Sequence, residues 1–125
     1  MPSSIKATAS SREAWPRMAR SCGFKGRLMR VRAATAWEIE AALPHDVEEL
    51  VGGLEAAQAV ARLHRRRRGG ARVHLALNSA GMSRNGLEMA TEAGRREAQA
   101  LVATDSLRIV GLMTHFPGEE LPDVR

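Results

Sequence analysis

The chain has 125 residues, of which 44% are hydrophobic and 26% are charged. This is the composition of a globular protein, and the length is sufficient for one domain with a buried core. No stretch approaches the roughly 18 apolar residues of a membrane span, so we expect no membrane contact of that kind. The single cysteine, Cys22, excludes an internal disulfide, and the absence of tyrosine removes one possible catalytic group.

The formal net charge is +5, and all of the 19 basic residues except Lys6 and Lys25 are arginine. A basic excess can serve a nucleic-acid partner. The densest run, Arg65–Arg68, is followed by two glycines, and we interpret it as a solvated helix end, where cations complement the helix dipole. Phosphate binding by this run is the alternative, and we do not expect nucleic acid to be the partner.

The first part of the chain predicts two strands with a helix between them. Ile5–Ala9 is a weak strand candidate, and a capping box at residues 10–13 opens a helix through about Ser21. Pro16 should kink or shorten that helix because proline lacks the amide donor. Arg27–Arg32 alternates with a period of two residues and predicts a second strand.

The middle of the chain repeats this order. A capping box formed by Thr35 and Glu38 opens a second helix, which Pro44 should end. Glu49–Gly52 predicts a short third strand, and Leu54–Arg66 has the apolar spacing of a third helix.

The last part predicts two more strands. Val73–Leu77 is the fourth, and Arg108–Phe116 is the fifth. Between them, Asn85 and Glu88 have the spacing of a third capping box, which should open a helix through about Val102.

Five predicted strands thus alternate with four helices through short connections. This alternation of strands and helices indicates an α/β fold with a parallel sheet, either doubly wound or part of a (β/α)₈ barrel. A closed barrel takes about 250 residues, so we expect only a partial TIM barrel here.

Function in parallel α/β folds concentrates at the carboxyl ends of the strands. Alternation along the fourth strand places His74, Ala76 and Asn78 on one face and the apolar residues between them on the other. Arg84 follows in the next loop, where its guanidinium suits a carboxylate or another oxygen anion. His115 closes the fifth strand, so we expect Asn78, Arg84 and His115 to share one rim.

Each of these residues also has a simpler interpretation. Taken alone, His115 is a hydrogen-bonded structural histidine and Arg84 a surface or cap residue, while Asn78 and Asn85 suit turns and caps. His74 is then structural, and His45 and His64 face solvent. No group of His, Cys, Asp or Glu has the spacing of metal ligands, so we expect no metal.

The two strand ends resemble the alanine racemase family. That family carries V-x-L-x-x-(D/N)-(S/T)-G-M-x-R-x-G, followed one βα unit later by G-(L/I)-M-T-H-F. Here these motifs are Val73–Gly86, with one extra residue before Gly81, and Gly111–Phe116. The extra residue and the pair Arg84-Asn85 are closer to the broad-specificity branch than to dedicated alanine racemases.

The resemblance implies a barrel that binds pyridoxal 5′-phosphate, a separate C-terminal β domain and a homodimer. Arg84 would contact the phenolic oxygen of the cofactor and the substrate carboxylate, and His115 would lie near the pyridine ring. Met82 and Asn85 would lie on the substrate side, and Asn78 would support Arg84. The implied reaction interconverts L- and D-amino acids by proton exchange at Cα.

Two groups of the family's mechanism have no counterpart in this chain. The lysine that binds the cofactor precedes Ile5 in the family's order, and neither Lys6 nor Lys25 lies in its motif. The second base is a tyrosine of the C-terminal domain. We therefore expect residues 1–4 to be an extension, residues 5–125 to be an incomplete barrel domain, and the isolated chain to be inactive. A non-catalytic remnant or a basic interaction module is the alternative. The resemblance is compatible with a periplasmic or a cytoplasmic location.

Overall fold

The computed structural model describes residues 11–78 and 86–114. The strand predicted at Ile5–Ala9 and the site residues Met82, Arg84, Asn85 and His115 lie outside these ranges. Within the described residues, helices and strands alternate in chain order. They are α1 (Ser11–Ser21), β1 (Leu28–Met29), α2 (Ala36–Ala42), β2 (Val47–Val51), α3 (Leu54–Leu63), β3 (Ala71–Leu77), α4 (Glu92–Val102) and β4 (Leu107–Thr114).

The described strands form one parallel sheet in the order β1-β2-β3-β4. Each strand pairs with the next one along the chain, which is the connectivity of a (β/α)₈ barrel wall. The expectation of a partial α/β barrel is confirmed, with four of the five predicted strands inside the described residues.

The core lies between the sheet and its helices. Val51, Val73 and Leu75 project from the strands toward α2, α3 and α4, and all three are buried. The helices contribute the buried residues Ile39, Ala57, Val60 and Leu101. The alternation of β3 is therefore as predicted, with its apolar set covered by helices and its polar set on the opposite face.

Two helix starts differ in whether the predicted capping residue caps the helix. The capping box of α2 is confirmed, since the Thr35 hydroxyl accepts from the Glu38 amide and the Glu38 carboxylate accepts from the Thr35 amide. The cap predicted at Asn85 is wrong, because α4 begins at Glu92 and is capped by Thr91, whose hydroxyl accepts from Gly94.

The two prolines behave differently from a simple helix breaker. Pro16 lies inside α1 and is fully buried, and the helix continues past it through Ser21. Pro44 does end α2, but through a short 3₁₀ turn at Leu43–His45 rather than an abrupt stop.

The amino-terminal ends of the strands are joined by polar contacts. Asp46 adopts a left-handed conformation (φ 59°) just before β2, and its carboxylate accepts from both Arg67 and Arg72. Gly70 (φ 73°) packs against the Ser106 carbonyl, where a Cβ would lie 2.4 Å from the oxygen. The loops that precede β2, β3 and β4 are thereby held together.

The arginine run lies just beyond α3, which ends at Leu63 rather than at Arg66. Three of these arginines are exposed, as expected for a solvated helix end, namely Arg65, Arg66 and Arg68. Arg67 is half-buried and forms an ion pair with Asp46. No described helix is long and apolar enough to cross a membrane.

Candidate functional site

An open cleft of about 280 Å³ lies at the carboxyl ends of the strands. Its floor is apolar and its polar groups stand at the rim. Its lining includes Val31, Leu50, Ala76, Asn78, Met113 and Thr114. The cleft occupies the end of the sheet at which parallel α/β proteins carry their sites.

Asn78 is held at this rim by the chain that returns from the 79–85 segment. Its backbone amide donates to the Leu87 carbonyl at 2.8 Å, and its side-chain amide donates to the Gly86 carbonyl at 3.2 Å. The Leu87 amide in turn donates to the Ala76 carbonyl at 2.8 Å. These contacts clamp both ends of the segment that contains Met82, Arg84 and Asn85.

The Oδ1 atom of Asn78 is buried and has no hydrogen-bond partner among the described residues. A buried acceptor without a donor is unfavourable by about 1–3 kcal/mol. A donor from outside the described ranges would relieve that cost. Asn78 was predicted to share this rim with Arg84 and His115, which lie outside the described residues.

A buried carboxylate lies one layer below the cleft. Glu48 projects from β2 on the same face as Leu50, and its side chain is only 2% exposed. Arg27 binds it in bidentate fashion at 2.7 and 3.0 Å, and His74 Nε2 lies 2.7 Å from its Oε1. The Arg27 hydrogen bonds outweigh desolvation by burial and, with the His74 contact, lower the pKa of Glu48 to about 2.

A second buried carboxylate lies on the helix side of the same strand. Glu49 accepts from Arg30 Nε at 2.8 Å, and both side chains are almost fully buried. The Arg30 guanidinium also lies 5.8 Å from the centre of the Trp15 ring and donates to the Glu38 carbonyl. This ion pair therefore fastens β2 to α1 and α2.

Sequence reasoning did not single out these two ion pairs. A signal was present, because two adjacent glutamates stand inside the apolar strand Val47–Val51, and arginines recur along residues 27–32. Buried carboxylates require cationic partners, so the two features predict each other once the strands are known to be neighbours.

The three histidines within residues 11–78 lie in different environments. His74 pairs with Glu48, which agrees with a structural role. His64 was expected to face solvent, and this is wrong, because it is only 5% exposed and its Nδ1 donates to the Val60 carbonyl at 2.9 Å. Burial lowers the pKa of His64. His45 is half-buried, and its pKa is lowered by desolvation and then by Arg17 and Arg20.

No group of three or more His, Cys, Asp or Glu that could hold a metal ion occurs in the described part of the chain. The described part of the cleft combines an apolar floor with the side chains of Asn78 and Arg32, above a network of buried charge around Glu48.

Comparison with known proteins connects this geometry to a family. Residues 6–124 match the family described as alanine racemase, N-terminal domain. The chain belongs to the alanine racemase family. Its full length is 48% identical to a broad specificity amino-acid racemase of Aeromonas hydrophila, of which it covers 32%. It is 44% identical over 85% of its length to a lysine racemase of Proteus mirabilis, of which it covers 26%.

Solved alanine racemases share the fold. The alanine racemase of Clostridium difficile in complex with cycloserine superposes with a TM-score of 0.74 at 22% identity, over 85% of this chain and 29% of that one. The enzyme of Streptomyces lavendulae gives a TM-score of 0.60 at 28% identity. The chain spans about 30% of the length of the broad specificity racemases that it matches. It thus corresponds to part of the barrel of an alanine racemase.

Proposed function

We propose that this chain forms part of the site of a pyridoxal-phosphate-dependent amino-acid racemase that interconverts L- and D-amino acids. The observation that carries the proposal is the cleft at the carboxyl ends of the strands, with Asn78 fixed at its rim in a member of the alanine racemase family. The relatives named as broad specificity racemases support a range of amino-acid substrates rather than alanine alone.

The described residues fit one wall of a pyridoxal phosphate site. Leu50, Ala76 and Met113 form an apolar floor suited to an aromatic ring, and the orphaned Oδ1 of Asn78 can accept a hydrogen bond at its edge. When bound, the cofactor delocalises the electron pair that remains at Cα after proton loss.

The residues outside the described ranges complete the proposal. In this proposal, Arg84 would bind the substrate carboxylate and the phenolic oxygen of the cofactor, and His115 would serve the pyridine ring. Met82 and Asn85 would contact the substrate. Asn78 would support Arg84, and the hydrogen bonds of Asn78 to Gly86 and Leu87, on either side of the 79–85 segment, support this role.

We propose that the 125-residue polypeptide alone does not racemise amino acids, because it lacks the two groups that transfer protons in the family's mechanism. Two bases must reach opposite faces of Cα. The chain contains no tyrosine, and neither Lys6 nor Lys25 lies in the family's lysine motif. Lys25 is exposed near Asp46, at the end of the sheet opposite to the cleft. The bases and the dimer partner would have to come from other polypeptide segments.

The test has two arms. In the first, the purified chain is mixed with pyridoxal phosphate, and the visible absorbance of the lysine-linked cofactor and the formation of D-alanine from L-alanine are measured. We expect neither signal, and the full-length Vibrio parahaemolyticus racemase serves as the positive control. Both signals from the isolated chain would contradict its inactivity.

In the second arm, the chain replaces the matching segment of that relative, with which it is 50% identical. We expect the chimera to racemise amino acids, and a chimera carrying Asn78→Ala to have a lower kcat/KM. A chimera that folds and binds pyridoxal phosphate but shows no racemisation would contradict the proposed function.

A basic interaction module is the alternative, and the exposure of Arg65, Arg66 and Arg68 is the observation that favours it. It requires salt-sensitive binding to a polyanion that disappears when these arginines are replaced. The racemase proposal requires no such binding.

A further inference from the structure

The register between β3 and β4 changes in the middle of the two strands. Val73 pairs with Ile109, but His74 pairs with Gly111, so Val110 is an additional residue in β4. An extra residue of this kind is a β-bulge. It lies directly below the cleft, since two residues later Ala76 pairs with Met113 at the cleft floor.

The bulge reverses the face on which the rest of β4 presents its side chains. Strict alternation would put Ile109 and Met113 on one face, because they are four residues apart. Instead, Ile109 packs against the core under the helices, whereas Met113 lines the cleft on the opposite face. A shift of one residue in register would turn Met113 toward the helices and Leu112 into the cleft.

A close fit between His74 and Gly111 accounts for the position of the bulge. A Cβ on Gly111 would lie 2.4 Å from His74 Nδ1 and 2.8 Å from Cε1, so only glycine can stand opposite the imidazole. The ring cannot easily move aside, because its Nε2 is bound to the buried Glu48 at 2.7 Å. Without the bulge, Val110 would face the ring, and its branched side chain would find no room.

We infer that His74, held between Glu48 and Gly111, is a positioning residue that fixes the bulged register of β4 and thereby selects which β4 side chains face the cleft. The inference rests on the proposed function in taking this cleft as the racemase site. The prediction that His115 reaches the rim depends on the same register, because His115 was placed on the face of Met113 and the bulge turns that face to the cleft. The glycine that opens the Gly111–Phe116 motif then has a steric purpose, which is to admit the imidazole.

The main test exchanges the order of two residues without changing composition. The double variant Val110→Gly/Gly111→Val puts a glycine opposite His74 with no need for a bulge. We expect the cross-peak between the Met113 and Ala76 methyl groups, measured by methyl NOE spectroscopy on the labelled 125-residue chain, to be lost. A cross-peak between the Leu112 and Ala76 methyl groups should replace it. Persistence of the Met113 cross-peak in the folded variant would overturn the inference.

A second measurement keeps the inference testable if the exchanged variant fails to fold. Gly111→Ala should lower the urea midpoint of unfolding, and this loss should be at least halved in a His74→Ala background, where the methyl group has room. In a His64→Ala background, used as the matched control, the loss should be unchanged. Equal losses in all three backgrounds would overturn the inference. Neither readout needs cofactor or activity, so failure here is distinct from failure of the racemase proposal.

Discussion

Arg30 and Glu49 form an ion pair whose Nε–Oε1 distance is 2.8 Å and whose two side chains are both at most 3% exposed. Removing one member of such a pair leaves a buried charge without compensation. We expect Glu49→Gln and Arg30→Met each to lower the free energy of unfolding by about 3–5 kcal/mol, measured by urea denaturation at pH 7.

The matched control for this pair is the exposed one between Glu92 and Arg96 on α4, where both side chains are more than two-thirds solvent-accessible. Exposed pairs four residues apart contribute only about 0.3–0.5 kcal/mol. Arg96→Met should therefore change the stability very little. Losses of similar size at the two sites would mean that burial does not determine the strength of the Arg30–Glu49 pair.

The lowered pKa of Glu48 predicts a specific acid sensitivity. A carboxylate whose folded pKa is about 2, against an ordinary value of 4.5, stabilises the fold above pH 4.5, and this stabilisation disappears as the pH falls toward 2. We expect up to about 3 kcal/mol to be lost over that window, because Glu48 is buried, although the exposure of Arg27 screens part of it.

The measurement for Glu48 is the free energy of unfolding at pH 6, 4 and 3. The variant Glu48→Gln should be less stable at pH 6 and should show a flatter decline toward pH 3 than the unmodified chain. A decline that is equally steep in both would place the titrating group elsewhere.

The hydrogen bond at the start of α4 identifies Thr91 as the residue that caps this helix. The Thr91 hydroxyl accepts from the Gly94 amide at 2.9 Å, so Thr91→Ala should destabilise the chain by about 1 kcal/mol. Thr91→Ser keeps the oxygen and should be close to neutral. Thr104→Ala is the control, since this hydroxyl is exposed and donates to the Ala100 carbonyl near the end of the helix. A larger effect at Thr104 than at Thr91 would contradict the assignment of the cap.

The outer edge of β4 predicts self-association of the isolated polypeptide. Among the described strands, β4 pairs only with β3, and Leu112 is 66% exposed beside its open edge. Open strand edges with exposed apolar residues favour pairing between chains. Leu112→Lys should increase the monomeric fraction in size-exclusion chromatography with light scattering. Val102→Lys changes an equally exposed residue on α4 and should leave the monomeric fraction unchanged. An equal gain from both variants would indicate a general effect of charge.

The sequence was sufficient to predict the alternation of helices and strands, because each signal involved is local. The capping box at Thr35 and the inward and outward faces of β3 follow from residues within a few positions of one another. The cap at Asn85 was wrong because the residues after it do not begin the helix. Leu87 is fully buried and bridges to Leu77, and the helix begins only after Thr91.

The features that escaped prediction all depend on tertiary contacts rather than on local sequence. The partners of Glu48 are 21 and 26 positions away along the chain. The burial of His64 depends on how α3 packs, and the bulge at Val110 depends on the side chain that faces it from β3. For the candidate site, the position of Asn78 at a strand end was predictable, whereas its clamp through Gly86 and Leu87 requires the returning chain.

The contacts around Asp46 affect which substitutions this barrel segment can accept. Asp46, Arg67 and Arg72 join the loops at the amino-terminal ends of the strands, and Gly70 locks against Ser106 at that same end. The cleft occupies the other end. The contacts that join the strand loops and the cleft are thus separated by the length of the sheet. Substitutions in the cleft loops leave the Asp46 contacts intact, so the cleft can vary in sequence while the opposite end of the sheet keeps its structure.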